Sequence, residues 1–398
     1  MPLAAGSATC LPAASRLPPA RVYNPPMPHP IAWYISGHGF GHASREIEII
    51  NAVRARRPDV PIVVRTGAKP WIFDLTLRSP LEVQQAECDT GIAQIDSLRL
   101  DEAETLRRAG EFYADFDRRV EDEAAFLRSA GAGLVVADIP PLAVAAAARA
   151  GIPSIAVGNF TWDWIYEAYE PERAGLPHLL PTIRDACAKA ARYLRLPMWG
   201  GFEMAPADLT SDLPLVARRS SRAPAETRRR LGLPADRRLV LLSFGGHGLQ
   251  DLDPAALRGL GPEYLVVVTG HLQLARAIQS AGAAATVFDE RALYDDGWRY
   301  EDLVAASDVV LTKPGYGIIA ECAANGTAIL YTSRGHFVEY EVLVQEMPLY
   351  VRSQFMPQDA LFAGDWRPYL DELLAQDRPE PPDVSGAELG ATLILERL

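Results

Sequence analysis

From residue 31 onward, short apolar runs alternate with longer stretches whose apolar positions recur at helical spacing. "IAWYI" is followed by "REIEIINAVRARRP". Then come "VPIVVRT", "LEVQQAE", a charged amphipathic stretch over residues 102–129, "GLVVADI", "LAVAAAARAG" and "IPSIAVGNF". Strands that are apolar throughout, and separated by helices, predict a parallel sheet covered on both faces. Residues 102–129 read as one long helix. A polar, proline-containing stretch over residues 200–236 reads as a domain connection. The alternation then resumes in "RLVLLSFGGHG", "EYLVVVTG", "AATVFDE", "SDVVLTKPGYG" and "TAILYT", and the chain closes on the helical pattern "AELGATLILERL".

The fold class this predicts is α/β, with two doubly wound Rossmann-like domains facing a cleft. The boundaries fall at 1–30 (a proline-rich, disordered tail), 31–215, 216–375 and 376–398, the last a helix expected to pack back on the first domain. Met27 stands just before the first strand and is a second place where the natural chain could start. Ligands of such folds sit at the carboxyl ends of the strands, so the residues that leave the strands are the ones to inspect.

Composition narrows the partners. The chain of 398 residues carries a net charge of -12, which disfavours nucleic acid and anionic membranes. No apolar run reaches the roughly 20 residues of a membrane-spanning helix. Four cysteines without C-x-x-C spacing indicate neither a zinc site nor a disulfide framework, and point to a cytoplasmic location. The oligomeric state is not legible in the sequence.

Two strand-to-helix turns carry the chemistry. "SGHGFGHASRE" spaces its glycines as Gly37, Gly39 and Gly41, which is not the G-x-G-x-x-G of dinucleotide sites. It offers His38 and His42, with Arg45 one turn further on. Histidine is suited to proton transfer at neutral pH, although a single histidine at a helix start also serves as a cap. Asp138 ends "GLVVAD", where it either caps the next helix or orients His42. In the second half, Lys313, Gly315, Tyr316 and Gly317 lead into a helix that carries Glu321. Free backbone amides, a helix N-terminus and an ammonium suit a diphosphate. A carboxylate one turn into the helix suits a ribose, while a surface lysine and a solvent-facing glutamate are the plain alternatives. Gly245, Gly246 and His247 of "SFGGHG" form a further loop of donors. The Walker pattern is absent. The aromatic stretch 158–170, with Asn159, Phe160, Trp162 and Trp164, reads either as an acceptor wall or as core packing.

On these residues the chain resembles the GT-B glycosyltransferases, in particular the plant-type UDP-glycosyltransferases and the peptidoglycan N-acetylglucosaminyltransferase. It is similar in more detail to the N-terminal, glycosyltransferase-like half of plant-type L-arabinokinases, through "SGHGFGHASR", "LVVADIPPLAVAAAARAGIPSIAVGNFTWDWIY" and "SFGG". The resemblance implies an inverting, metal-independent transfer from a nucleoside-diphosphate sugar, most simply a UDP-sugar, to a hydroxyl acceptor, with no further cofactor. It makes His42 the base and Asp138 its partner. Lys313, Gly315 and Glu321 stand at positions of the donor motif, and Glu339 and Tyr340 stand near the pair that reads the donor sugar. Two departures stand out: His42-Ala43-Ser44-Arg45 has arginine where the family keeps proline, and Tyr340 replaces a glutamine. A nucleotide-sugar 2-epimerase and a non-catalytic nucleotide-sugar-binding protein are the alternatives on the same architecture.

Overall fold

The computed structural model describes residues 28–245, 252–270 and 272–398. The tail expected over residues 1–27 therefore lies outside the described residues, as do Gly246 and His247. The first sheet contains β1 (Ile31–Ile35), β2 (Ile62–Thr66), β3 (Glu82–Gln85), β4 (Leu134–Asp138), β5 (Ser154–Gly158), β6 (Arg192–Arg195) and β7 (Thr210–Asp212). Its order is β3-β2-β1-β4-β5-β6-β7, and every pair is parallel. The second contains β8 (Arg238–Ser243), β9 (Tyr264–Thr269), β10 (Ala285–Phe288), β11 (Val309–Thr312), β12 (Ala328–Tyr331) and β13 (Ser353–Phe355), in the order β10-β9-β8-β11-β12-β13, again all parallel.

The strand pattern accounts for the layering. Successive side chains of a strand face opposite sides of the sheet. In β1, Ile31, Trp33 and Ile35 enter one apolar cluster, while Ala32 and Tyr34 enter another. Both faces are thus buried, as uninterrupted apolar strands require. The first cluster continues into the second half of the chain through Tyr316, Ile319 and Leu241. The helix Gly386–Leu395 lies against the helix Gly41–Arg56, with Gly390 close to Ile49 and Arg56 donating to the Thr392 hydroxyl.

Two elements differ from the sequence reading. Residues 102–129 form two helices, Glu102–Ala114 and Phe116–Ser129, which meet at Asp115. The aspartate takes a non-helical φ of −106° and ψ of 16°, and its carboxylate accepts from Arg118 at 2.7 Å. Aspartate competes with the helix for local hydrogen bonds and so favours such breaks. The stretch read as a connection holds the edge strand β7 and the helix Pro224–Arg230. β7, at the sheet edge, and its neighbour β6 are short and polar or charged, with Arg195 donating to Asp212 at 2.6 Å, and such charge is common at sheet edges. That composition hides them from an apolar search.

Candidate active site

β1 and β4 are neighbours in register, with Ile35 opposite Asp138. The turn after β1 and the end of β4 must therefore meet. The turn uses Gly39 in the left-handed region (φ +69°), a conformation that costs most residues energy. The helix that follows places His42 and Arg45 one turn apart on the same face, above Asp138. His42 Nδ1 lies 2.9 Å from Asp138 Oδ1. Arg45 grips the same carboxylate through two bonds, Nε to Oδ2 at 2.5 Å and Nη2 to Oδ1 at 2.6 Å. Burial opposes the charge of Asp138, but the Arg45 guanidinium and His42 outweigh it and hold its pKa at about 2. Asp138 is thus a carboxylate and can only accept. A hydrogen on His42 Nδ1 satisfies that contact, whereas the other tautomer would set two lone pairs against each other; Arg45 Nη2, 3.0 Å from the same nitrogen, makes its shorter bond to Asp138 Oδ1. Nε2 is then the nitrogen left for a substrate proton.

His38 is held in the opposite sense. The backbone N–H of Ile92 donates to His38 Nδ1 at 3.2 Å, so that nitrogen carries the lone pair and the hydrogen sits on Nε2. Gly91 makes room for this contact, because a Cβ there would meet the His38 side chain at 2.8 Å. Burial, together with the charges of His42, Arg334 and Lys313, pushes the His38 pKa well below the ordinary histidine value. One histidine of the turn is therefore set up as an acceptor and the other as a neutral donor.

Around this pair, Phe160 stands edge-on to His42 with ring centroids 5.4 Å apart, and Trp162 stands edge-on to His38 at 5.7 Å. Phe160 and Trp162 are both buried, at 3% and 0% exposure. They support the histidines from behind and offer no open face to a ligand. Trp164 lies elsewhere: its ring fills the space over Gly200. Asn159 continues the network across the cleft. Its side-chain carbonyl accepts from Arg45 Nη1 at 2.6 Å, and its amide donates to Glu339 of the second half at 2.8 Å.

The second half brings its own turn close. Gly317 approaches Gly41, with 3.4 Å between a Cβ at Gly317 and the Gly41 Cα. Lys313 is half-buried, and no described side chain hydrogen-bonds it. Burial and the charge of Arg334, only partly offset by Asp96, lower its pKa to about 7. Arg334, a residue with no motif to mark it, stacks over Phe337 at 4.3 Å and donates through Nη1 to the Pro314 carbonyl at 3.4 Å, while its buried Nε has no partner among the described residues. Gly315 precedes the helix Tyr316–Asn325, and Gly245 closes β8 in the left-handed region.

Other expected donor residues are engaged with the chain itself. The Tyr316 hydroxyl accepts from Val216 N–H at 3.0 Å, and its ring packs 5.3 Å from the Arg45 guanidinium. Glu321 accepts from Arg218 of the interdomain segment through Oε1, and the described hydrogen bonds do not use Oε2. Burial raises its pKa to about 7, opposed by Arg218 and reinforced by Glu301. Tyr340 lies beside Tyr331.

Sequence reasoning assigned no role to Arg334, Arg218 or Asp89. Asp89 accepts from Trp162 Nε1 at 3.0 Å, and burial is the main cause of its pKa of about 6. It follows the end of β3, the same kind of position that singled out Asp138. Among the described residues, no group of three His, Cys, Asp or Glu is placed to hold a metal ion, and no helix is long and apolar enough to cross a membrane.

Two all-parallel α/β halves, each with glycine-rich turns at the carboxyl ends of its strands, form the GT-B architecture. The solved structures similar to this chain share it. The glycotransferase of kitacinnamycin superposes with a TM-score of 0.62 at 17% identity, over 94% of this chain and 100% of that one. A UDP-glucosyltransferase from Polygonum tinctorium gives 0.59 at 13% identity, over 94% of each chain. A UDP-N-acetylglucosamine 2-epimerase gives 0.50 at 11% identity, over 90% and 93%. In sequence, the chain is 32% identical over 371 residues to the L-arabinokinase of Arabidopsis thaliana. That match covers 92% of this chain, and the chain spans about a third (34%) of the length of that relative. No protein-family model matches the chain.

Proposed function

We propose that this protein is an inverting glycosyltransferase that moves a sugar from a nucleoside diphosphate, probed first as UDP, to a hydroxyl acceptor without a metal ion. The observation that carries this reading is the division of labour across the cleft, with a charge-backed histidine on one wall and two under-partnered cations on the other. His42 Nε2 takes the acceptor proton while the acceptor oxygen bonds to the anomeric carbon. The bond from that carbon to the diphosphate breaks, and its electron pair leaves with the diphosphate. Lys313, Arg334 and the amides near Gly315 and Gly317 stabilise the departing charge. Asp138 keeps the hydrogen on Nδ1 and favours the imidazolium as it forms. Glu339 contacts the donor sugar, for which it must exchange its bond to Asn159. Glu321 contributes its unused oxygen to ribose. Cys88, Cys187 and Cys322 are buried and unbridged, which favours a reducing, cytoplasmic setting.

The test is a thermal-shift panel of nucleotides, followed by UDP release from UDP-sugars with and without added acceptors. Stabilisation by UDP together with acceptor-dependent release supports the reading. The absence of any nucleoside-diphosphate effect overturns it. The similarity to an epimerase supplies a second reading, which predicts turnover of UDP-N-acetylglucosamine with no acceptor present.

A further inference from the structure

Two of the three rings expected to form an aromatic acceptor wall, Phe160 and Trp162, are buried, and what opens beside His38 is different. A cavity of about 640 Å³ lies at the carboxyl ends of β1, β2 and β3. It is bordered by His38, Gln85, Glu87, Asp89, Gln94 and Arg108. Its size falls within the roughly 300–1,000 Å³ range of small-molecule sites, but such sites are usually lined by apolar and aromatic groups. Here the apolar contribution among the described residues comes from small or single aliphatic side chains such as Ala86 and Ile92, and none of those lining the cavity is Phe, Tyr or Trp.

The polar groups are directional. His38 presents a fixed N–H donor, because its other nitrogen is occupied by Ile92. Asp89 is anchored by Trp162, and as a carboxylate it has acceptor positions beyond that bond. Gln94 adds both a donor and an acceptor at the rim. Arg108 and Glu87 are partly neutralised by Glu104 and Arg119 and so give the cavity little net charge. A planar aromatic ligand would leave these groups desolvated and unpaired, which weakens binding. A ligand with several hydroxyls would satisfy a donor, a carboxylate and an amide together.

We infer that the acceptor is a small polyhydroxylated molecule, a free monosaccharide or a cyclitol, seated in the cavity between β1 and β3 and held by His38, Asp89 and Gln94. Asp89 and Gln94 are specificity-determining residues, and His38, whose ring centroid lies 6.4 Å from that of His42, joins the cavity to the base. This assignment rests on the transferase reading for its catalytic end, whereas the binding itself is measurable without turnover.

The test is calorimetric titration of the full chain, with and without UDP, using D-galactose and myo-inositol as polyol probes and 4-nitrophenol and 1-naphthol as aromatic probes. At least one polyol is expected to bind saturably and the phenols are not. Asp89→Asn and Gln94→Leu each weaken polyol binding about tenfold, while UDP affinity changes less than about twofold. Gln94 is only half-buried at the rim, so its variant reports binding even where the Asp89 variant loses stability. Saturable phenol binding without polyol binding, or variants that leave polyol binding unchanged, overturns the assignment. Polyol binding without any UDP binding retains the assignment and overturns the transferase reading. UDP binding with phenol capture does the reverse.

Discussion

The turn after β1 and the turn after β11 share a plan, yet they treat charge in opposite ways. Each leaves a buried parallel strand, passes through glycines and opens a helix at the cleft. In the first, the charged groups around the histidine hold one another: His42, Asp138, Arg45 and Asn159 form one buried hydrogen-bonded chain. In the second, among the described residues, Lys313 has no side-chain hydrogen bond and Arg334 keeps a buried N–H without a partner. A buried unpaired cation is costly, and an anion that relieves the cost binds well for the same reason. On the proposed function, the first turn is organised before substrate arrives, and the second is completed by the substrate's own charge.

The largest effect expected from this contrast is on catalysis. His42→Ala removes the proposed base and should lower acceptor-dependent UDP release by about 10²- to 10⁴-fold. UDP affinity, read by calorimetry, should stay within about twofold. An equal loss of both would erase the distinction between the two turns.

Asp138→Asn tests the prewired side through stability. Asp138 is fully buried and Arg45 is 4% exposed, so the variant leaves a buried guanidinium without its counter-charge. A loss of about 3–5 kcal/mol is expected in urea denaturation. A change below about 1 kcal/mol would mean that Arg45 is not confined to this network.

Lys313→Met tests the other side. It should weaken UDP binding about tenfold while leaving urea stability equal or raised, because a half-buried charge is removed. pH gives the same information without mutation. The Lys313 pKa is lowered to about 7, and only the protonated form attracts diphosphate. UDP affinity should therefore be greatest below that value and fall as pH rises through it, and the Met variant should be flatter. Affinity that rises through the same range would contradict the assignment.

Asn159→Ala is the mildest probe. It removes the bond to Glu339 and one partner of Arg45, and should cost about 1–2 kcal/mol in stability. If Glu339 must leave Asn159 to meet the donor sugar, the variant binds UDP-sugars slightly better than the wild-type chain. Unchanged affinity for the UDP-sugar would show that this bridge does not compete with the donor.

The linear pattern determined a good deal of this. Apolar strands alternating with helices gave two parallel sheets, because a strand buried on both faces needs apolar residues throughout. Residues leaving those strands are readable as site candidates for the same reason, and the structure brings His42 and Asp138 together as that reading expects. Tertiary structure alone decided who partners whom. The tautomers of His38 and His42 depend on Ile92 and Asp138, which lie far along the chain. Phe160 and Trp162 look like a ligand wall in sequence, yet packing turned them into buried supports. Arg334 and Asp89 carry no local signature, since an arginine in a loop or an aspartate after a strand is ordinary until folding buries it beside an open cavity. Periodicity reports which face of an element is covered, but hydrogen bonds between distant elements are fixed only when the sheets set their ends side by side.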